Sequence, residues 1–238
     1  MCMKMLPAMN MCGFLYSGCD LGGFGCNTTE DLLLRWLEFS CFVPLMRNHS
    51  ALGTREQEVY RFSLWPDMRN VIRVRYALIP YLYSEFIKAA AADETYFRAL
   101  AFDYPEDRRA VRVEDQLMLG GECMIAPVYE QNARGRYVYL PEDMLMIRFR
   151  SPEDFDEIRL EKGDHYIDLQ LHEFPLFIRR GKVIPVYSGN ALSTEEIDPA
   201  ECRLIGWTDG NGEYALYTDD GISAVINADS VQRITERP

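Results

Sequence analysis

Gly13-Phe14-Leu15-Tyr16-Ser17 runs straight into a glycine-rich segment, Gly18-Cys19-Asp20-Leu21-Gly22-Gly23-Phe24-Gly25. A short apolar run followed by glycines reads as a buried strand ending in a tight turn, because glycine turns the backbone sharply without steric cost. The period then changes. Thr28 is placed as an N-cap with Asp31 in the first turn, an approximation to a capping box. Leu32, Leu33, Trp36, Leu37 and Ser40 recur at helical spacing and are expected to form the inner face of that helix. Phe42-Val43-Pro44-Leu45-Met46 is a second strand-like run, leading directly into Arg47-Asn48-His49. A long helix is predicted over Met68 to Ala91, kinked at Pro80. Strand, loop and helix, repeated, is the signature of α/β architecture.

Working outward from this core, Met1 to Met11 is rich in methionine, carries a single Lys4, and lacks the long apolar centre of a signal peptide. It reads as the interior of a buried helix. In the other direction the texture changes at about Cys123 to short β segments. Strands are predicted over 124–129, 136–140, 146–149, 166–171, 176–178, 183–186, 204–207 and 214–217. Turn clusters such as Asp209-Gly210-Asn211-Gly212 and Asp219-Asp220-Gly221 separate them. Many short strands at close spacing argue for β-sandwiches, two in tandem, with the acidic stretch Ser188 to Pro199 as junction. The fold class is therefore α/β plus all-β, divided at 1–122, 123–190 and 191–238.

The bulk numbers exclude more than they assign. A net charge of −12 over 238 residues argues against a nucleic-acid partner, which needs clustered Lys and Arg, and against docking on an anionic membrane. No stretch is long and apolar enough to suggest a membrane span. Seven cysteines and three histidines show no metal-ligand spacing; Cys12, Cys19 and Cys26 form no Cys-x-x-Cys pair. The thiols read as free and buried, as in a reducing cytoplasm. Asp219-Asp220 before Gly221 reads as a turn rather than a calcium site. Glu106-Asp107 reads as a charged loop. His165 and His172 fall in the β region as surface or loop residues.

Several ordered motifs resemble those of glycoside hydrolase family 31, the α-glucosidase and α-xylosidase family. Gly18-Cys19-Asp20-Leu21-Gly22-Gly23-Phe24 resembles its Gly-x-Asp-Ile-Gly-Gly-Phe motif. Arg47-Asn48-His49, preceded by Phe42-x-Pro44, resembles its Phe-x-Pro-Phe-x-Arg-Asn-His motif, with Leu45 where Phe is usual. Arg75-x-x-Leu78-x-Pro80-Tyr81-x-Tyr83 matches the following helix. Arg98-Ala99-Leu100 with Tyr104-Pro105-x-Asp107, Gln116 to Gly120 with Ala126-Pro127-Val128, Tyr139-Leu140-Pro141, Pro175 to Gly181 and Tyr217-x-Asp219-Asp220-Gly221 continue the likeness in the same order. The wording of the motifs is nearest to bacterial α-glucosidases.

The resemblance implies the C-terminal portion of a (β/α)₈ TIM barrel followed by two small β-sandwich domains. It implies an exo-acting, retaining α-glucosidase that releases glucose from non-reducing ends of α-glucosides and uses no cofactor. Such chemistry needs two carboxyl groups. The family's nucleophile segment, Trp-x-Asp-Met-Asn-Glu in type, has no counterpart here, and the acid/base Asp would precede Met1. No catalytic residue is therefore assigned, and the chain is expected to be inactive alone. Asp20 and His49 each follow a predicted strand, where barrel enzymes place reacting groups. The resemblance gives His49 hydrogen bonds to the hydroxyls of an α-linked oligosaccharide. Asp20 either touches sugar or holds a neighbouring arginine. Arg47 pairs with a pocket carboxylate. Phe24 either stacks on the next sugar or is core. A partial barrel leaves bare strand edges, so residues before about Asp93 are expected to need an N-terminal partner or to self-associate, whereas the β region has cores of its own and could stand alone. A non-catalytic sandwich module that buttresses or binds glycan is the alternative, but Tyr137, Tyr139 and Tyr166 look too scattered along the chain to form an aromatic platform.

Overall fold

The structure, a computed structural model, describes residues 2–92, 94–223 and 231–236. Helix α1 (Cys2–Met11) leads to β1 (Gly18–Asp20), α2 (Glu30–Ser40) and β2 (Leu45–Arg47), and then to the long α3 (Trp65–Ala91). Next come β3 (Phe97–Ala99), the short α4 (Leu100–Asp103), β4 (Leu117–Leu119), β5 (Cys123–Ile125), β6 (Gly135–Leu140) and β7 (Met144–Phe149). Strands β8 (Phe155–Leu160), β9 (Gly163–Asp168), β10 (Phe174–Arg179), β11 (Val183–Tyr187), β12 (Cys202–Gly206), β13 (Gly212–Tyr217) and β14 (Val231–Glu236) complete it. The α/β part holds one parallel pair, β1 beside β2, and no closed barrel among the described residues.

Both predicted strands of that pair sit later in the chain than the apolar runs suggested. β1 begins at Gly18 rather than Gly13, and Phe14 and Tyr16 are 64% and 68% exposed. β2 is Leu45–Arg47, not 42–46; Phe42 and Val43 are buried in the turn before it. Gly18 is obligatory at this crossing, since a Cβ there would stand 2.0 Å from the Leu45 carbonyl oxygen.

The N-cap of α2 is Thr29, one residue beyond the predicted Thr28; its hydroxyl accepts from the Leu32 amide at 3.3 Å. Glu30 and Asp31 in the first turn suit the positive end of the helix dipole. Of the expected inner face, Leu33, Leu37 and Ser40 are buried, whereas Leu32 is 43% exposed and Trp36 is half-buried. Leu34, Arg35, Glu38 and Phe39 are buried as well, because the β region covers a second side of the helix. Arg35 makes the connection: it pairs with Glu38 at 3.0 Å and donates to the carbonyls of Glu173 and Ala133. On α3, Arg75 gathers the loop before β2, donating to the carbonyls of Ser40, Cys41, Val43 and Pro44 at 2.8–3.2 Å.

The dominant element is an antiparallel sheet in the order β3-β4-β5-β10-β7-β8. Both its faces are apolar, and the period of two divides them cleanly. Leu117, Leu119, Cys123, Ile125, Leu145, Ile147, Phe149, Phe174, Leu176 and Ile178 face one core, shared with α2 and α3. Met118, Met124, Met144, Met146 and Phe177 face a second core, closed by Val138, Leu140, Ile167 and Leu169 of the β6–β9 ribbon. The first core also takes in Val183, Ile184, Leu204, Tyr214 and Leu216, so α3 packs under the ribbons β11–β12 and β13–β14 as well.

The expectation that the β region has cores of its own is thus corrected: the first core is shared with α2 and α3, and the second takes in Leu100, Ala110 and Met118 from before Cys123. Buried polar ties reinforce the shared one. Tyr81 donates to the Leu119 carbonyl and Tyr96 to the Phe42 carbonyl, each at 2.7 Å. Glu85 accepts from Lys88, Tyr214 and the Gly121 amide.

The turn readings agree with what is described. Asp219 accepts from the Gly221 amide, and Asp220 from the amides of Ile222 and Ser223, forming a self-bonded turn. Asp107 caps a single helical turn through the amides of Arg109 and Ala110. All seven cysteines are unpaired, as expected, but only Cys41 and Cys123 are buried, and Cys12 and Cys26 are exposed. Two of the three tyrosines are not scattered. Tyr137 and Tyr166 are direct cross-strand partners, whereas Tyr139 is buried and its hydroxyl donates to Asp107 at 2.6 Å.

Candidate functional site

The site is assembled where β1 and β2 end. Their parallel register sets Gly18 beside Leu45, Cys19 beside Met46 and Asp20 beside Arg47. Asp20 and Arg47 are therefore the last residues of adjacent parallel strands, and the geometry lets them meet. The Arg47 Nε donates to Asp20 Oδ1 at 2.8 Å and its Nη2 donates to the same oxygen. The carboxylate is largely covered (16% exposed) while the guanidinium is half open (54%). The pair fixes one carboxylate at the strand ends by a charge-assisted contact, much of whose energy is returned to solvent on the arginine side.

Past Asp20 the chain reverses. The Gly23 amide donates to the Asp20 carbonyl at 3.1 Å, and Gly22 and Gly23 adopt φ of +76° and +90°. Side chains are strained at those angles, and at Gly22 a Cβ would also stand 2.7 Å from Thr28 Oγ1. The double glycine is therefore a geometric demand of this turn. It delivers Phe24 to the surface, 51% exposed, where its ring faces His49 at 5.4 Å between centroids and a 33° tilt. A backbone bond from the Ala51 amide to the Phe24 carbonyl, 2.8 Å, ties the two loops below the rings. Of the two readings of Phe24, core is excluded by its exposure. The ring nitrogens of His49 make no hydrogen bond among the described residues.

Gln57 was not foreseen. It is 4% exposed and its side-chain amide donates to the Leu21 carbonyl at 2.7 Å and to Asn48 Oδ1 at 2.9 Å, while Asn48 donates to the Gln57 carbonyl at 2.7 Å. It clamps the loop after β1 to the loop after β2 and so sets the spacing of Phe24 and His49. Its position in the polar run Arg55-Glu56-Gln57-Glu58 gave no hint of burial. The Leu21 amide donates to the Arg47 carbonyl at 2.9 Å and extends the strand pairing to the edge of the site.

The structure therefore brings all four expected residues together: a locked carboxylate–guanidinium pair beside an open aromatic and imidazole pair. Such a surface offers ring faces and hydrogen-bonding groups to a hydroxylated ligand. It holds one carboxylate, whereas a retaining glycosidase uses two flanking the scissile bond. No cluster of His, Cys, Asp or Glu fit to hold a metal ion is found among the described residues. Three surface hollows of about 320–560 Å³ lie elsewhere, lined by other side chains.

Comparison with known proteins fits this geometry. Residues 1–85 match the glycosyl hydrolases family 31 TIM-barrel domain, and residues 93–184 the glycosyl hydrolase family 31 C-terminal domain. Alpha-glucosidase 2 of Bacillus thermoamyloliquefaciens is 32% identical over 227 residues, covering 93% of this chain and 28% of that protein. The lysosomal alpha-glucosidase of Bos taurus is 33% identical over 229 residues, covering 90% of this chain and 24% of that protein. The chain thus spans about a quarter of the length of these relatives. The crystal structure of glucosidase II alpha subunit bound to alpha3-Glc2 superposes with a TM-score of 0.85 at 23% identity, over 98% of this chain and 26% of that one. The cycloalternan-forming enzyme from Listeria monocytogenes gives 0.81 at 22% identity, over 98% of this chain and 23% of that one. These superpositions establish a shared fold, and with the two family matches and the sequence relatives they place the chain in glycoside hydrolase family 31.

Proposed function

We propose that this chain supplies one wall of a retaining α-glucosidase site that releases glucose from the non-reducing ends of α-glucosides. The observation that carries the reading is the register of β1 and β2. It sets Asp20 and Arg47 at the carboxyl ends of two parallel strands, where barrel enzymes bind substrate, with Phe24 and His49 on the loops above. In this reading His49 hydrogen-bonds sugar hydroxyls, and Phe24 offers its ring to the adjoining sugar. Arg47 holds Asp20 in place so that its free oxygen keeps one orientation toward the ligand. The two reacting carboxylates belong to another part of the enzyme, so the chain is inactive alone. Assembly of the site then requires the preceding part of the barrel or a second copy. The bare edges of the β1–β2 pair and the exposed Met5, Met11, Phe14, Tyr16 and Leu32 supply the surface for that contact.

Glucose release from maltose and isomaltose tests this, with the chain alone and after mixing with a separately made polypeptide carrying the preceding barrel segment of a relative. No release alone and release on mixing is expected. Turnover by the chain alone would overturn the assignment of the carboxylates, because carboxyl groups within these residues would then be doing the chemistry.

A further inference from the structure

The outward face of the β6–β9 ribbon is the most unusual surface of the molecule. Tyr137 and Tyr166 are cross-strand partners, their rings 5.2 Å apart at an interplanar angle of 70°, and they are 72% and 56% exposed. An edge-to-face pair leaves the ring that presents its edge with both faces open, and tyrosine is normally buried to a far greater degree than this. Beside the pair lies a hollow of about 370 Å³ lined by Tyr129, Tyr137 and Tyr139 together with six charged side chains. Three are basic (Lys4, Arg109, Arg112) and three acidic (Glu114, Asp115, Asp164), so the rim has no net charge.

Five of those six charges already have partners. Arg109 donates to Asp164 at 2.8 Å and lies over the Tyr139 ring. The Tyr129 hydroxyl donates to Asp115 at 2.8 Å, and Lys4 pairs with Glu114. Arg109 covers the Tyr139 ring and Arg136 covers the Tyr129 ring, so the open aromatic faces are those of Tyr137 and Tyr166, with donors and acceptors side by side in the adjoining hollow.

This combination selects a ligand class. A nucleic acid needs a net positive surface, and the chain as a whole carries −12. A protein hot spot needs an apolar centre that expels water, and the hollow beside this pair is lined mostly by ions and hydroxyls. A pyranose has an apolar C–H face that stacks on an aromatic ring, and an equator of hydroxyls that each donate and accept. We propose that the Tyr137–Tyr166 pair and the adjoining hollow form a second glycan-binding surface that holds a neutral oligosaccharide or polysaccharide without cleaving it. The choice of α-glucans as its ligands rests on the proposed function; the existence of the surface does not.

Affinity electrophoresis of the full chain, in native gels containing soluble amylose or dextran, tests this. Four proteins are run: wild type, the double variants Tyr137→Ala/Tyr166→Ala and Tyr137→Phe/Tyr166→Phe, and His49→Ala. Because both tyrosines are exposed, unchanged melting temperatures are expected for the double variants. Wild-type retardation should weaken by about tenfold in the double alanine variant, persist in the double phenylalanine variant, and persist largely in His49→Ala. Retardation unaffected in the double alanine variant, or absent in the wild type with both polymers, overturns the proposal. Retardation lost only in His49→Ala would also overturn it, while supporting the site at the ends of β1 and β2. The two readings therefore fail separately.

Discussion

Two of the sheets of this molecule, the β1–β2 pair and the six-stranded sheet, are built on opposite principles. β1 and β2 pair over three residues in parallel, with both outer edges open. The six-stranded sheet is antiparallel and sealed on both faces, by α2 and α3 on one side and by the β6–β9 ribbon on the other. Parallel strands are normally found deep inside a fold, covered on both faces. Here the parallel pair is the part that carries the residues of the proposed site, and the antiparallel sheet holds the bulk of the core. The proposed site and the main core are thus apart in space, and substitutions should sort by region.

The largest effect is expected in the sealed sheet. Phe177 is fully buried between the sheet and the ribbon, and Phe177→Ala should cost about 3–5 kcal/mol, read by urea unfolding. A loss below about 1 kcal/mol would mean that the second core is loosely packed and the comparison fails. Next comes the tie between the regions. Glu85 is 2% exposed and accepts from Lys88, Tyr214 and the Gly121 amide, so Glu85→Ala strands three donors. A loss of about 3 kcal/mol is expected. Circular dichroism and tryptophan fluorescence, coincident in the wild type, should then report separate transitions.

The same interface gives a pH dependence. Burial, and then the nearby Glu85 charge, push the Glu122 carboxyl up to about 7. The folded state therefore keeps a proton that the unfolded chain has released. The stability this contributes is full below about pH 4.5 and is lost as the pH rises to about 7, at no more than about 1.4 kcal/mol per unit. Urea midpoints of wild type and Glu122→Gln between pH 5 and 7 should differ in slope by up to this amount; parallel slopes would show that Glu122 is ionised throughout.

In the parallel region the effects are smaller. Gly22→Ala places a methyl against Thr28 at a backbone angle that alanine resists, costing about 1–2 kcal/mol and displacing Phe24 from His49. Asp20→Asn removes a half-exposed ion pair and should cost under about 1 kcal/mol of stability. Yet it should abolish most of the maltose turnover regained on mixing, measured as glucose release. A variant with full turnover would remove Asp20 from the site.

How much of this was written in the sequence depends on what the residues had to do. Strands β6, β7, β10, β11, β12 and β13 were legible because alternation and turn residues mark sheets directly, while β9 begins three residues before its predicted start. β8 escaped because Asp156, Glu157 and Arg159 make it look like loop; it is an edge strand, where such charges discourage further pairing. β1 and β2 were misplaced by several residues because apolarity does not mark where a chain pairs: Phe14 and Tyr16 are exposed ahead of β1, and Phe42 and Val43 are buried in the turn ahead of β2. The pairing hinges on the missing side chain of Gly18. Asp20, Phe24, Arg47 and His49 were legible only as motifs, and their convergence follows from a register that no local pattern encodes. Gln57 and the Tyr137–Tyr166 pair show the same limit: each depends on a partner far along the chain.

The grip of Arg75 on the four carbonyls before β2 has a consequence for biosynthesis. The loop that carries Arg47 and His49 leaves the ribosome about thirty residues ahead of the guanidinium that organises it. At ordinary elongation rates this is an interval of roughly 2–6 s. Throughout it, four backbone acceptors wait for a donor not yet made. The end of the chain that carries the proposed site is therefore emitted early and finished late.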